Sequence, residues 1–125
     1  MNKIALTVFF GFALAISGQE PAGTTILTKK EAAALEAGAK TAADHRRVAA
    51  FHAAGAAHER AEAERHTREA DSFRQNPTGD SIKRPMAYRT EAHCRLLAAK
   101  HGRAAAKSEA RAAQHEKIAT GLESR

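Results

Sequence analysis

The strongest constraint on the fold of this chain is a seven-residue spacing of small and polar residues that occurs twice. In each occurrence the marked positions alternate steps of three and four residues. Steps that average about 3.5 residues place side chains on one stripe of a supercoiled α-helix. We call this stripe the seam. Its members are Ala42, His45, Ala49, His52, Ala56, Glu59, Ala63, His66, Ala70 and Phe73 in the first stretch, and Cys94, Ala98, His101, Ala105, Ser108, Ala112, His115, Ala119 and Leu122 in the second.

The two stretches also match each other directly, which indicates a duplicated helix. A shift of 49 positions aligns residues 44–70 with residues 93–119 and gives ten identities in 27 pairs. Seven identities are alanines, which an alanine-rich chain makes common. The three informative identities are Arg46 with Arg95, His52 with His101, and His66 with His115.

Helix signals divide the chain into a simple order of segments. Thr28 and Glu31 match a capping box, and no proline follows until Pro77. We therefore predict one helix over residues 29–74, a turn over residues 75–85 that contains Asn76-Pro77 and Gly79, and a second helix over residues 86–121. Gly38 and Gly55 weaken the first helix locally, and one of them could mark a bend. Together these segments form one helical unit over residues 29–122.

The first residues are typical of an export signal. Lys3 precedes an apolar run of about a dozen residues that ends in small residues. The run is shorter than the ~20 residues that a membrane-spanning helix needs. We predict a signal peptide over residues 1–18, a flexible lead-in over residues 19–28, and a periplasmic or secreted location.

The predicted fold class is all-α, namely an antiparallel two-helix hairpin in the form of an alanine-rich coiled coil. Outside the signal there are 28 alanines but only 13 larger apolar residues among Val, Ile, Leu, Met, Phe and Tyr. A lone hairpin buries little apolar area with such a composition. We therefore expect a homodimer or higher homo-oligomer that completes a four-helix bundle, with Phe51, Leu96 and Leu97 near the contact.

The polar seam residues are the candidate ligands. If the chain reverses near Gly79, then His66 lies opposite Cys94, Glu59 opposite His101, and His45 opposite His115. Imidazole and thiolate are ligands for copper or zinc, and bundle cores commonly hold such sites. The metal-site hypothesis names His66, Cys94 and His101, with Glu62 or His93 as further ligands. A position for Cys94 near the start of the second helix predicts a stabilised thiolate.

The first hypothesis for the function is a non-catalytic binding or structural protein in which the histidines fix the register or the partner, and copper or zinc binding is the alternative to it. Catalysis is not expected, because neither an oxyanion hole nor a pocket is indicated. The formal net charge is +6, and Lys100, Arg103, Lys107 and Arg111 form a basic stripe on the second helix. This stripe is typical of a solvated face or of contact with an anionic surface or polymer. Interleaved acids and the export signal argue against nucleic-acid binding.

One short motif carries a resemblance. The run His93-Cys94-Arg95-x-Leu97-Ala98, followed by Ala112-x-x-His115, resembles uncharacterised small exported bacterial helical proteins. The resemblance covers the two helices and the signal peptide. It implies an exported helical protein and no activity.

Overall fold

The computed structural model describes residues 26–125. These residues form four helices and contain no strand: α1 Lys29–Gly38, α2 Ala42–Gln75, α3 Asp80–Lys83 and α4 Glu91–Glu123. The all-α class is thereby confirmed. The signal peptide predicted for residues 1–18, and most of the lead-in predicted for residues 19–28, lie outside the described residues.

The first long helix is divided into two, which differs from the single helix predicted over residues 29–74. Ala39 after Gly38 has extended backbone, with φ −61° and ψ 122°. A new capping box starts α2, in which the Asp44 amide donates to Thr41 Oγ1 at 3.1 Å and the Thr41 amide donates to Asp44 Oδ2 at 3.2 Å. Reciprocal caps satisfy amides that a continuous helix would have paired itself. The predicted capping box of Thr28 and Glu31 is present at the start of α1.

The connection between the long helices is longer than the turn predicted over residues 75–85. It contains the short helix α3, and α4 begins at Glu91 rather than at residue 86. The reason is Thr90, a buried N-cap whose side chain accepts from the His93 amide. Its hydroxyl also lies 2.8 Å from the Ala87 carbonyl oxygen. Helix α4 then runs through Gly121, where the sequence predicts a stop, to Glu123.

Helices α2 and α4 make extensive contacts with each other. Cross-helix ion pairs join Asp71 to Arg95, Arg60 to Glu109, and Arg46 to Glu123. Helix α1 packs against α2.

The seam lies between α2 and α4. The buried alanines of the seam are Ala49, Ala56, Ala70, Ala105 and Ala119. Such small residues allow two helix backbones to approach closely. At the end of α4 the predicted seam residue Leu122 is 37% exposed. The buried part of the seam therefore ends at the preceding seam residue, Ala119.

Candidate metal-binding seam

Three seam histidines each contact a glutamate. His101 Nδ1 lies 2.7 Å from Glu59 Oε2, His66 Nδ1 lies 3.0 Å from Glu69 Oε2, and His115 Nε2 lies 3.2 Å from Glu36 Oε1. His66 and His115 are buried. The seam therefore alternates close-packed alanines with histidine–carboxylate pairs.

The helix pairing predicted from the turn position is present. Glu59 and His101 are in contact, and the Nδ1 atoms of His45 and His115 are 2.9 Å apart. His66 and Cys94 belong to one group of potential ligands. Two potential-ligand triads share His66, and we call their members the His66 group. It consists of Glu62, His66, Glu69, Cys94 and His101.

The three predicted ligands, His66, Cys94 and His101, do not form a single triad. His66 shares one triad with His101 and another with Cys94. One triad contains Glu62, His66 and His101, and the other contains His66, Glu69 and Cys94. Within each triad the ligand atoms lie within 4.8 Å of one another. The His66 and His101 rings stack with centroids 5.4 Å apart and planes inclined by 17°.

Hydrogen bonds define the state of His66 in this structure. Arg65 Nη2 lies 3.1 Å from His66 Nε2. Because a guanidinium only donates, Nε2 accepts this bond and Nδ1 carries the proton that is donated to Glu69. The lone pair of His66 Nε2 therefore faces the Arg65 guanidinium. A metal at Nε2 has to displace this cation.

Cys94 is a protonated thiol in this environment. Burial raises the pKa of the Cys94 thiol above its usual value, and the negative charge of Glu69 raises it further. The thiol donates to Glu69 Oε2 at a distance of 3.9 Å. The stabilised thiolate predicted from the helix N-terminus is therefore wrong, because burial and a facing carboxylate outweigh the helix dipole. A coordinated metal deprotonates a thiol, so this state does not prevent ligation.

A second group lies at the opposite end of α2, where α1 meets both long helices. We call it the α1 group, and it consists of Glu36, His45, His52 and His115. Its triad of Glu36, His52 and His115 has ligand atoms within 4.8 Å of one another. His52 Nε2 approaches Glu36 Oε2 at 3.5 Å, and the His52 and His115 rings are inclined by only 19°.

One atom in the α1 group is buried without a hydrogen-bond partner among residues 26–125, namely His52 Nε2. The His52 side chain is 11% exposed. The hydrogen bond from His115 lowers the pKa of Glu36 below its usual range, with a smaller contribution from the charge of Arg111. Glu36 is thus a carboxylate that faces two imidazoles.

Two acidic residues of these groups were not predicted from the sequence. Glu69 stands three positions after His66, which places both on one helix face, so its signal was present. Glu36 reaches the seam only because the chain bends between α1 and α2. The Thr41-x-x-Asp44 capping box was the available signal for that bend.

The remaining predicted residues have clear positions. His58 is exposed, whereas His93 is partly buried and packs edge-on against Tyr88. The four cations of the basic stripe, Lys100, Arg103, Lys107 and Arg111, are all exposed on α4. No helix within residues 26–125 combines the length and the apolar character needed to cross a bilayer.

Comparison with known proteins leaves the chain without an assigned relative. No family model, curated protein or solved structure matches it.

Proposed function

We propose that this chain is an exported, non-catalytic helical protein that binds a transition metal, copper or zinc, through the His66 group. The observation that carries the proposal is the position of His66, which lies within ligand distance of His101 on one side and of Cys94 on the other. All these ligands come from the two long helices, which hold them on rigid backbone.

The donor atoms favour a thiophilic metal. The triad of His66, Glu69 and Cys94 offers one nitrogen, one oxygen and one sulfur. A soft thiolate favours Cu(I) or Zn²⁺ over Mg²⁺ or Ca²⁺. Loading this triad releases the Cys94 proton and, where His66 binds through the Nδ1 atom that faces Glu69, the proton on Nδ1, while Arg65 lies at Nε2. The guanidinium of Arg65 already has Glu62 and Glu69 as alternative partners at 2.7 and 2.6 Å.

The non-catalytic part of the proposal follows from the backbone around the ligands. They lie on α2 and α4, where main-chain amides are committed to helix hydrogen bonds. Such a surface offers no pair of amides to stabilise an oxyanion. The ligands are therefore suited to holding an ion.

The test is a copper(I) titration of the reduced full chain against a chromophoric competitor. We expect Cys94→Ala and His66→Ala each to lower the affinity strongly and the double variant to add little, because both residues serve one ion. Ser108→Ala changes a polar seam residue outside the ligand triads and serves as the matched control. Equal affinities in the wild type, Cys94→Ala and His66→Ala would refute the proposal.

We also propose that α2 and α4 form an antiparallel hairpin that dimerises into a four-helix bundle. Support comes from the apolar side chains that the single chain leaves accessible. Leu96 is 50% exposed and Ile118 is 37% exposed, although both lie on a helix with few large apolar residues. Covering them requires a further helical surface.

A second candidate function is binding to an anionic surface or polymer through the basic stripe. The exposure of Lys100, Arg103, Lys107 and Arg111 along one helix favours it. The test is co-sedimentation with vesicles that contain anionic lipid. We expect salt-sensitive binding that weakens when Lys107 and Arg111 are changed to Gln. Equal binding to neutral vesicles would refute this candidate function.

A further inference from the structure

The α1 group differs from the His66 group in its donor atoms and in the hydrogen bonds of its histidine ring nitrogens. Its triad contains two imidazoles and one carboxylate, and it has no thiol. His52 Nε2 has no hydrogen-bond partner within residues 26–125, whereas His66 has a partner at both ring nitrogens. His52 and His66 are fourteen positions apart on α2, which corresponds to about 21 Å along the helix. One ion cannot serve both groups.

The donor atoms of the α1 triad lie close enough together to converge on one ion. The three donors of a tetrahedral zinc site, at ~2.0–2.1 Å from the ion, lie about 3.3 Å from one another. Glu36 Oε1 lies 3.2 Å from His115 Nε2, and Glu36 Oε2 lies 3.5 Å from His52 Nε2. Each imidazole nitrogen therefore lies close to a tetrahedral edge length from one of the two Glu36 oxygens, Oε1 for His115 and Oε2 for His52. The third pair of donors, on His52 and His115, lies within 4.8 Å.

His45 supplies the outer contact that a metal-binding histidine needs. Its Nδ1 atom lies 2.9 Å from His115 Nδ1. In the structure His115 Nε2 donates to Glu36 Oε1. Ligation at Nε2 would replace that proton with the ion, and Nδ1 would then donate to His45 Nδ1. A second hydrogen bond of this kind fixes the tautomer and ring orientation of a ligating imidazole.

We infer that Glu36, His52 and His115 form a second metal site, for a divalent ion of the zinc class, and that the bound ion fastens α1 to α2 and α4. Two imidazoles and one carboxylate are a common zinc donor set, with a fourth position left for water or another ligand. Each ligand comes from a different helix: Glu36 from α1, His52 from α2 and His115 from α4. A single ion therefore joins three helices, of which α1 is attached to α2 through the bend at residues 39–41.

The experiment is a titration of the full chain with zinc against a chromophoric chelator, using Glu36→Gln, His52→Ala and a control. His58→Ala is the matched control, because it removes an exposed histidine from the same helix. We expect Glu36→Gln and His52→Ala to lower zinc affinity by about 100-fold or more, since loss of an outer-shell partner alone costs 10–100-fold. His58→Ala should bind as the wild type does. Circular dichroism verifies that each variant is helical.

A second readout tests the fastening of α1. Amide hydrogen exchange is measured over residues 29–38 with and without zinc. We expect zinc to slow exchange in the wild type and in His58→Ala, and to leave Glu36→Gln unchanged. Wild-type affinity in either ligand variant, or exchange in α1 that zinc does not alter, would overturn the inference.

The outcome also separates this site from the proposed function. Zinc affinity that falls in Cys94→Ala but persists in Glu36→Gln overturns the inference and leaves metal binding at the His66 group intact. Zinc binding that survives Cys94→Ala and is lost in Glu36→Gln supports it. A wild-type chain that binds neither copper(I) nor zinc overturns both, and the α1 group then acts as a histidine–carboxylate cluster that fixes helix register.

Discussion

His101 Nδ1 on α4 lies 2.7 Å from Glu59 Oε2 on α2, near the middle of both helices. The two residues occupy seam positions that face each other. Between this pair and the next histidine–carboxylate contacts, the seam holds small residues. The histidine–carboxylate pairs therefore fix the register of α2 against α4. Sliding either helix along the other would separate the paired side chains.

A double-mutant cycle on Glu59 and His101 measures this registering contact. We expect Glu59→Gln and His101→Ala to be coupled by about 0.5–1 kcal/mol in the free energy of unfolding, since both side chains are partly exposed. Chemical unfolding followed by circular dichroism provides the values. The same cycle on Glu64 and His101 is the control, because Glu64 is exposed and makes its ion pair with Arg68. Additive effects for Glu59 and His101 would contradict the role of the pair.

The paired helices and their facing surface could be predicted because one physical pattern determines both. A 3.5-residue spacing fixes which residues share a helix face, and Pro77 with Gly79 limits where the chain reverses. The break at residues 39–41 follows Gly38, one of the two glycines at which the sequence allows a bend. The sequence did not predict a full break there, since Ala39 and Lys40 favour helix on intrinsic propensity. A local capping box at Thr41 outweighs that preference, and the same effect at Thr90 moves the start of α4.

The candidate sites were predicted in part for a similar reason. Residues on the seam, such as His66 and His101, follow from periodicity alone. Glu36 does not, because its place beside His115 depends on the angle at which α1 leaves α2. The seven-residue spacing also could not predict that the Cys94 thiol stays protonated, because its pKa depends on the depth of burial and on the charge of Glu69.

Close packing at the seam should make a small-to-large change costly. Ala105 is 2% exposed in the middle of α4, so Ala105→Leu should lower the free energy of unfolding by about 1–3 kcal/mol. Ala106 is exposed and has the same backbone conformation. Ala106→Leu should therefore stay within about 0.5 kcal/mol of the wild type. Chemical unfolding of both variants is the measurement, and similar costs at the two positions would contradict the packing described for the seam.

The start of α2 should depend on pH through Asp44. Hydrogen bonds from the side chain and the amide of Thr41 lower the pKa of the Asp44 carboxyl below its usual range. A carboxyl whose pKa is lowered by folding stabilises the folded state above its unfolded pKa of about 3.9, and this contribution is lost as pH falls through the folded pKa. Amide exchange at residues 42–45 should therefore accelerate below pH 4.

The control for this effect is Asp44→Asn, which keeps a capping side chain but does not ionise in this range. Its exchange at residues 42–45 should lack the acid-dependent acceleration after correction for intrinsic rates. An identical acid response in the wild type and in Asp44→Asn would show that another group controls this end of α2.

Assembly should depend on the exposed apolar residues of α4. If Leu96 lies at a dimer contact, Leu96→Glu places a charge in that contact and should shift the protein to a monomer at micromolar concentration. Light scattering coupled to size-exclusion chromatography gives the mass. Ala99→Glu, three residues further along α4 at an exposed position, is the charge-matched control. A wild-type chain that is monomeric at high concentration would exclude the dimer.

The reactivity of Cys94 should report on the charge of Glu69. Burial raises the pKa of the thiol, and the Glu69 carboxylate raises it further, so little thiolate is present at neutral pH. Iodoacetamide should alkylate the native chain more slowly than the unfolded chain. The pH of half-maximal rate should exceed the usual thiol value of about 8.5.

Glu69→Gln removes the facing charge and should shift that midpoint to lower pH. Glu64→Gln, an exposed change on the same helix, should leave the midpoint unchanged. Because access to the thiol scales the rate at every pH, the midpoint isolates the electrostatic effect. Equal midpoints in the two variants would show that burial alone sets the state of Cys94.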